Sequence, residues 1–203
     1  MDYKVQSLWP TKILLADNFI DNNYIETLKT EILNQYIPTV KNWQSNSTLF
    51  EHKEFTTLAN KINSLCIDYL KEVHKQVFEE LKITSMWANV LKTGEFHRPH
   101  THSNNVLSGV FYIQANDRKS AEICFSDPRP QAGVLSTSLT EYNSDNSEVW
   151  SYPSITNRLL IFPAWLNHYV KTNDTKEDRI SISFNLMYKG VVGNLNELQS
   201  NIF

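Results

Sequence analysis

The apolar residues of this chain change their spacing near residue 83, from the period of a helix to that of β-strands. Before that point they recur every three or four positions along two segments, 24–36 and 55–78, as on one face of an α-helix. After it, short apolar runs alternate with turn residues such as Gly94 and Pro163. Two helices followed by many short strands predict an α+β domain in which the helices back a sandwich or barrel-like double sheet.

The last predicted strand, residues 179–188, alternates between polar and apolar side chains. Because successive residues of a strand point to opposite faces of the sheet, one face of this strand is polar. That face carries Arg179, Ser181, Ser183 and Asn185. It requires a polar environment, such as a water-filled pocket. Earlier strands are predicted at 86–91, 107–113, 121–125 and 159–162.

Length and composition fit one globular domain without a membrane span. The 203 residues suffice for one domain, with helical support over about 1–82, a β core over about 83–190 and a short tail at 191–203. No run approaches the ~20 apolar residues that cross a bilayer. Cys66 and Cys124 stand alone in the sequence, as reduced structural thiols of a cytoplasmic protein do.

Charge and loop composition say little about the substrate. A net charge of −3 with scattered Lys and Arg argues against nucleic acid as a partner. A small molecule or a protein is then the expected substrate, and assembly into oligomers is open. Residues 127–158 form a long polar stretch, which is interpreted either as a lid over a site or as a surface excursion.

Four histidines are candidates for a metal site. His100 and His102 are two residues apart, so in extended backbone both rings point to the same side and can reach one metal. His168 follows a later apolar strand and supplies a third imidazole, which is a common ligand of iron, zinc and copper. His97 is offset by three positions, beyond Pro99, and is the weaker candidate.

Arg179 follows His168 by eleven residues and precedes Ser181 by two. Three protein ligands on one side of a metal leave open positions on the other, as in the facial-triad iron oxygenases. A 2-oxo acid can occupy two of these, and its far carboxylate then needs a planar bidentate donor, which Arg supplies better than Lys. Ser181 points to the same face and can donate to that carboxylate. The joint pattern predicts an iron site with a 2-oxoglutarate anchor.

Six segments carry a resemblance to a known family: 87–89, 100–102, 107–113, 125–129, 162–168 and 179–185. Through them the chain resembles the Fe(II)/2-oxoglutarate-dependent oxygenase superfamily, and more closely a group of such oxygenases found in bacteria and phages. The resemblance implies a double-stranded β-helix, or jelly roll, with the helical first third as its support. It also implies Fe(II) and 2-oxoglutarate as cofactors, and hydroxylation of a substrate with decarboxylation of 2-oxoglutarate to succinate.

The resemblance also implies roles for individual residues. His100 and His168 match the two histidine ligands of the superfamily, and Arg179 with Ser181 matches its 2-oxoglutarate anchor. Asn89 stands where some members place an asparagine that touches the cosubstrate, although a strand-end capping residue is an equal interpretation.

Two further positions are open to more than one interpretation. Tyr112 shares a strand face with Ser108 and Val110, and is expected either to bind 2-oxoglutarate inside the barrel or to be a buried aromatic residue with a satisfied hydroxyl. His102 occupies the position of the superfamily's usual Asp or Glu ligand, and an imidazole there leaves the iron more positive. It also brings the site closer to three-histidine dioxygenases, some of which use no 2-oxoglutarate.

Two other functions compete with this hypothesis. A cupin-like metal enzyme without 2-oxoglutarate would use the three histidines, but cupins usually carry a Glu where this chain has Val106, and they give no reason for the Arg179 pattern. The second competing hypothesis is a noncatalytic jelly-roll binding protein of a bacterium or phage with a vestigial metal. Binding of metal and of 2-oxoglutarate separates the three.

Overall fold

A computed structural model of the protein describes residues 1–115, 121–134, 137–194, 196 and 198–203. Positions 135 and 136 of the polar stretch, and 195 and 197 of the tail, lie outside the described residues. None of the described helices is long and apolar enough to cross a membrane. The helices and strands are, in chain order, β1 (Leu14–Ala16), α1 (Asn22–Gln35), β2 (Trp43–Gln44), α2 (Thr56–Asp68), β3 (Glu80–Leu91), β4 (His97–His100), β5 (Leu107–Gln114), β6 (Ile123–Ser126), β7 (Val149–Tyr152), β8 (Leu159–Pro163), β9 (His168–Val170), β10 (Arg179–Lys189), β11 (Val191–Val192) and β12 (Asn201–Ile202).

Helix α1 has the boundaries that its apolar spacing predicts to within two residues. The Asp21 side chain accepts a hydrogen bond from the backbone N–H of Asn23 at 2.8 Å, which satisfies one of the free donors at a helix N-terminus. The buried side chains Ile25, Leu28 and Ile32 recur at helical spacing and form one face. This helix contacts β5, so it covers the middle of the larger sheet.

Helix α2 is shorter than its sequence predicts. The spacing of residues 55–78 predicts one uninterrupted apolar stripe, but a single π turn at Tyr69–Val73 follows α2 and ends it. A π turn inserts one residue into the helical repeat, so the side chains beyond it leave the buried stripe. Val73 is 42% exposed and Val77 is 99% exposed. The prediction of one unbroken stripe to residue 78 is therefore wrong, although Phe78 itself packs against the main core.

The strands form two antiparallel sheets arranged as a jelly roll. The larger sheet has the order β1-β8-β5-β10-β3-β2, the smaller one the order β4-β9-β6-β7, and β11 pairs with β12. The main core lies where α1 and α2 pack on β5 and β3. The predicted jelly roll with supporting helices is confirmed. Side chains from both sheets meet in a second apolar cluster, formed by Val110, Tyr112, Ile123, Phe125, Leu160, Phe162 and Leu166.

Several strand boundaries differ from those predicted. β3 begins at Glu80, six residues before the predicted start, because its first half pairs with the end of β10 although its charged sequence lacks a strand signature. β6 begins at Ile123 rather than at 121, since Ala121 has a φ of 52°, a left-handed conformation that a strand does not contain. The polar stretch 127–158 includes β7, which pairs with β6. That stretch is therefore partly sheet.

Strand β10 has the polar face that its sequence predicts. Its apolar residues Ile180, Ile182, Phe184 and Leu186 belong to the main core under the helices. The alternate side chains consequently face the space between the two sheets, where Arg179 and Ser181 line a cavity. Further along the same face of β10, the Ser108 hydroxyl donates a hydrogen bond to the Asn185 side chain at 2.6 Å.

Gly109 lies where β5 passes closest to its neighbours. A Cβ added at this position would lie 2.6 Å from the carbonyl oxygen of Leu160 and even closer to the Phe184 ring. We expect Gly109→Ala to lower the free energy of unfolding by about 3 kcal/mol, the upper end of the usual cost of overpacking, as measured by urea denaturation. Gly94→Asn is the control, because no atom lies within 4 Å of a Cβ there and asparagine tolerates its φ of +85°. Equal losses in the two variants would contradict this account.

Candidate functional site

Three histidines come together at one edge of the smaller sheet. β4 ends at His100 and β9 begins at His168, and the antiparallel register pairs these two residues directly. His102 follows two residues after β4, and its backbone N–H donates to the carbonyl oxygen of Ala164 at 2.9 Å. The candidate ligand nitrogens of the three rings all lie within 4.8 Å of one another. The sequence-predicted metal ligands are thus brought to one point.

Hydrogen bonds from outside this cluster orient two of the rings. Nδ1 of His100 lies 2.7 Å from the carbonyl oxygen of Arg98, and Nδ1 of His168 lies 2.9 Å from that of Leu166. Because a carbonyl oxygen only accepts, each Nδ1 carries the proton and leaves the lone pair of Nε2 free. Histidines that bind metals are commonly held by a second hydrogen bond of this kind.

The rings of His102 and His168 are neutral near pH 7. Burial, together with the neighbouring histidines, lowers the pKa of His168 to about 3, against the opposing effect of its hydrogen bond to Leu166. Burial and then the charge of His100 lower the pKa of His102 to about 4. A neutral imidazole is the form that binds a metal ion, so no proton has to leave these two rings first.

A cavity of about 610 Å³ opens from the histidines into the jelly roll, within the range of ~300–1,000 Å³ that is usual for small-molecule sites. Arg179 and Ser181, both buried, line its inner end. No Asp or Glu of the described chain lines it. The outer part is formed by side chains that are exposed or half-buried, namely Asn42, Gln44, Trp87, Phe96 and Arg98.

Arg179 is a buried cation without an acidic partner among the residues that the structure describes. Its side chain is held by two hydroxyls, with Nε donating to Ser154 at 3.1 Å and Nη1 donating to Ser181 at 3.0 Å. Only 4% of the residue is exposed. Burying an unpaired guanidinium is costly, so this position calls for an anion.

Tyr112 lies against that guanidinium. The Cζ atom of Arg179 is 4.8 Å from the centre of the Tyr112 ring. The tyrosine hydroxyl is buried and has no hydrogen-bond partner in the described part of the chain. An unpaired guanidinium and an orphaned hydroxyl together fit a carboxylate, and the three converging imidazoles in the cavity that Arg179 lines fit a divalent metal. The donor set therefore suits a metal ion with a small dicarboxylate beside it.

Asn89 is buried in the cavity wall, where it connects three side chains. Its Oδ1 accepts hydrogen bonds from Gln44 at 2.8 Å and from the Trp87 indole at 3.2 Å. Its Nδ2 donates to the Ser183 hydroxyl at 3.0 Å. Only one N–H of Asn89 is left for the predicted contact with a cosubstrate. These bonds instead hold the outer wall of the cavity in place.

His97 lines the same cavity but does not belong to the group of converging ligand nitrogens. Its Nε2 atom is buried and lacks a hydrogen-bond partner among the described residues. Burial, then the charges of Arg179 and His100, lower its pKa to about 4. The weaker metal candidate is thus a neutral ring beside the site rather than part of the cluster.

Two residues of the site have no signal in the sequence. Ser154 lies in the polar stretch 127–158 and reaches Arg179 only because the chain folds back. Gln44 comes from the N-terminal support, where the short strand β2 pairs with β3 and sets Gln44 opposite Asn89. Both contacts join positions far apart in sequence, so no local pattern could have indicated them.

Comparison with protein families identifies one family. Residues 85–185 match the sequence model of 2OG-FeII_Oxy_5, described as "Putative 2OG-Fe(II) oxygenase". The matched region runs from β3 through most of β10, and so contains the three histidines, Arg179 and Tyr112. No curated protein matches the sequence.

Solved structures of similar fold include a hydroxylase, an epimerase and a protein with 2-oxoglutarate bound. A Pseudomonas putida prolyl-4-hydroxylase aligns with a TM-score of 0.64 and 11% identity, covering 89% of this chain and 94% of that one. HygX from Streptomyces hygroscopicus, with nickel and 2-oxoglutarate bound, aligns with a TM-score of 0.62 and 12% identity, covering 87% and 82%. The epimerase SnoN of nogalamycin biosynthesis gives 0.66 and 13%, covering 93% and 83%. At these identities the likeness establishes the fold.

Proposed function

The chain belongs to the 2OG-Fe(II) oxygenase family, which its residues 85–185 match, and we propose that it hydroxylates a substrate with Fe(II) and 2-oxoglutarate. His100, His102 and His168 would hold the metal, and Arg179 with Ser181 would hold the cosubstrate. One observation carries the proposal: the same cavity is lined by three converging imidazoles and by a buried guanidinium that has no acidic partner in the described part of the chain.

The three imidazoles would bind the metal from one side and leave its other side open. Hydrogen bonds from Nδ1 to backbone carbonyls keep His100 and His168 turned with Nε2 toward the ion. Arg179 would pair its fork with the far carboxylate of 2-oxoglutarate, and the Tyr112 and Ser181 hydroxyls would donate to the same group. The buried inner end of the cavity restricts water there.

The metal and cosubstrate, when bound, supply oxidative decarboxylation: 2-oxoglutarate, dioxygen and a C–H substrate give succinate, carbon dioxide and the hydroxylated product. One oxygen atom of dioxygen enters succinate and the other enters the product. The chain's contribution is to hold both groups in fixed geometry and to limit access of water. No Asp or Glu of the described residues lines the cavity, so a proton transfer there would not use a protein carboxylate.

Three neutral ligands give this site a more positive metal than two histidines and a carboxylate would. The excess charge favours an anionic cosubstrate that binds the ion directly. A cupin-like reaction without 2-oxoglutarate would also suit three histidines. However, such a reaction leaves no task for the Arg179 guanidinium and the unpartnered Tyr112 hydroxyl. Those two groups favour the 2-oxoglutarate-dependent reaction.

The substrate would enter through the outer part of the cavity. Trp87 and Phe96 offer aromatic surface there, Gln44 offers an amide, and Arg98 offers an exposed cation that makes no ion pair with any described residue. A wall that carries only positive and neutral groups disfavours a cationic substrate. We therefore propose a neutral or anionic small molecule or protein segment as the substrate. The net charge of −3 makes nucleic acid the less suitable partner.

The proposal is tested by adding Fe(II) and 2-oxoglutarate to the metal-free protein without dioxygen. We expect a visible metal-to-ligand charge-transfer band that saturates with 2-oxoglutarate, and slow succinate release once dioxygen and ascorbate are admitted. Metal binding without the band would support the cupin-like reaction instead. Absence of metal binding would support a noncatalytic jelly-roll protein.

A further inference from the structure

His97 lies next to the candidate metal ligands but outside them. β4 pairs with β9 so that His100 lies opposite His168. Beyond an irregularity in the register, His97 lies opposite Val170. Both members of this second pair line the cavity. Burial lowers the pKa of His97, and the positive charges of Arg179 and then of His100 lower it further. His97 therefore shares one cavity with the three converging histidines and with the guanidinium.

The His97 ring carries a polar atom that the fold leaves unsatisfied. Nε2 is buried and has no hydrogen-bond partner within the described chain. Leaving a buried donor or acceptor unpaired costs roughly 1–3 kcal/mol, and an unpaired buried group needs a specific explanation. Its position in the cavity lining gives one, because a ligand in the cavity can supply the missing partner.

The groups around Nε2 indicate which ligand atom that partner is. Arg179 donates to two serine hydroxyls, and the Tyr112 hydroxyl, whose ring lies against Arg179, has no hydrogen-bond partner among the described residues. The Arg179 guanidinium, the Tyr112 phenol against it and the His97 imidazole in the same cavity lining as Arg179 therefore have donor capacity that no described residue uses. A carboxylate has about four lone-pair sites and can accept from all three.

We propose that His97 is a further binding residue for the far carboxylate of 2-oxoglutarate, with Nε2–H as the donor, alongside Arg179 and Tyr112. This inference rests on the proposed function, because it requires 2-oxoglutarate to occupy the cavity. It assigns to His97 a role in cosubstrate affinity and none in metal binding.

The test compares His97→Phe, which keeps a flat ring but removes the donor, with His97→Gln, which keeps an N–H donor. The dissociation constant for 2-oxoglutarate is measured by titrating the anaerobic Fe(II) protein, and the metal affinity is measured separately. A hydrogen bond to a charged group is worth roughly 1.5–3 kcal/mol, so we expect about tenfold or greater weakening in His97→Phe. His97→Gln should lose distinctly less, and metal affinity should stay unchanged in both variants.

Two controls separate this role from a structural one. Tyr169 and His97 both line a neighbouring surface groove, but Tyr169 does not line the cavity. Tyr169→Phe, which removes a hydroxyl from that groove, should therefore leave 2-oxoglutarate affinity unchanged. The melting temperature of metal-free His97→Phe should not fall, because the buried Nε2 that it removes has no hydrogen-bond partner among the described residues. A fall in that temperature with unchanged affinity would indicate a packing role and overturn the inference.

The remaining outcomes are also decisive. Unchanged 2-oxoglutarate affinity in His97→Phe, where the wild type binds, overturns this inference and leaves the proposed function standing. Weakened metal binding in both variants would make His97 a metal ligand instead and would overturn it as well. A wild-type protein that binds metal but no 2-oxoglutarate overturns the proposed function and this inference together.

Discussion

Replacing His168 by alanine is expected to abolish tight metal binding. Loss of a hydrogen-bond partner behind a metal ligand typically costs about 10–100-fold in affinity, so loss of the ligand itself should cost at least ~100-fold. His168 is the most buried of the three rings, and its Nε2 is turned toward the cluster by the bond to Leu166. Competition with a chromophoric chelator for Zn(II) or Mn(II) measures the change, and His168→Gln serves as a second variant if the alanine protein folds poorly.

His102 provides the matched comparison for that result. His102→Asp restores the carboxylate that the superfamily usually has, so it should keep metal and 2-oxoglutarate binding, whereas His102→Ala should lose metal affinity. His52 is a histidine outside the cluster, and His52→Ala is the control that should change neither. If His102→Ala binds metal as well as the wild type, the site uses two histidines and His102 is not a ligand.

Replacing Arg179 is expected to remove 2-oxoglutarate binding while the metal affinity remains. Lysine keeps the charge but offers a point donor in place of a planar fork. Each charge-assisted hydrogen bond is worth roughly 1.5–3 kcal/mol, so Arg179→Lys should weaken binding by about 10–100-fold and Arg179→Ala beyond detection. Titration of the anaerobic Fe(II) protein, followed by the charge-transfer band, measures both losses.

Tyr112→Phe is the companion variant for the anchor. Its hydroxyl has no partner among the described residues, so its removal should weaken 2-oxoglutarate binding without lowering the stability of the metal-free protein. The Arg179 and Tyr112 variants should bind the metal as tightly as the wild type, because neither residue belongs to the group of converging ligand nitrogens. Unchanged 2-oxoglutarate affinity in Arg179→Ala would make Arg179 a structural residue, and the three-histidine reaction without 2-oxoglutarate would replace the one proposed here.

Strand β10 shows how far a sequence pattern extends into the site. The period of two in residues 179–188 predicted a polar face and an apolar face, and the apolar residues do lie in the main core. Arg179 and Ser181 consequently share one side, and they are hydrogen-bonded to each other. Local periodicity suffices here, because the direction of a side chain within a strand depends only on the position along it.

The end of α2 and the short strands show where local patterns fail. Val73 and Val77 have helical spacing yet are exposed. A π turn at Tyr69–Val73 shifts the helical repeat there, and the spacing of apolar residues does not reveal such a turn. The strands β4 and β9 have four and three residues, too few for any periodicity to identify. Pairing with neighbouring strands defines them: β4 pairs with β9, and β9 also pairs with β6. The pairing of β4 with β9 sets His100 opposite His168.

The sequence by itself determined the kinds of chemistry available: imidazoles at a spacing that suits one metal, and an arginine on a polar strand face. These depend on side-chain chemistry and backbone period, which are local. Only the tertiary structure decided which groups meet, including Ser154 and Tyr112 at Arg179 and Gln44 at Asn89. It also placed His97 beside the metal cluster rather than in it. Such meetings join residues far apart along the chain, and they follow from sheet register and packing, which no local pattern encodes.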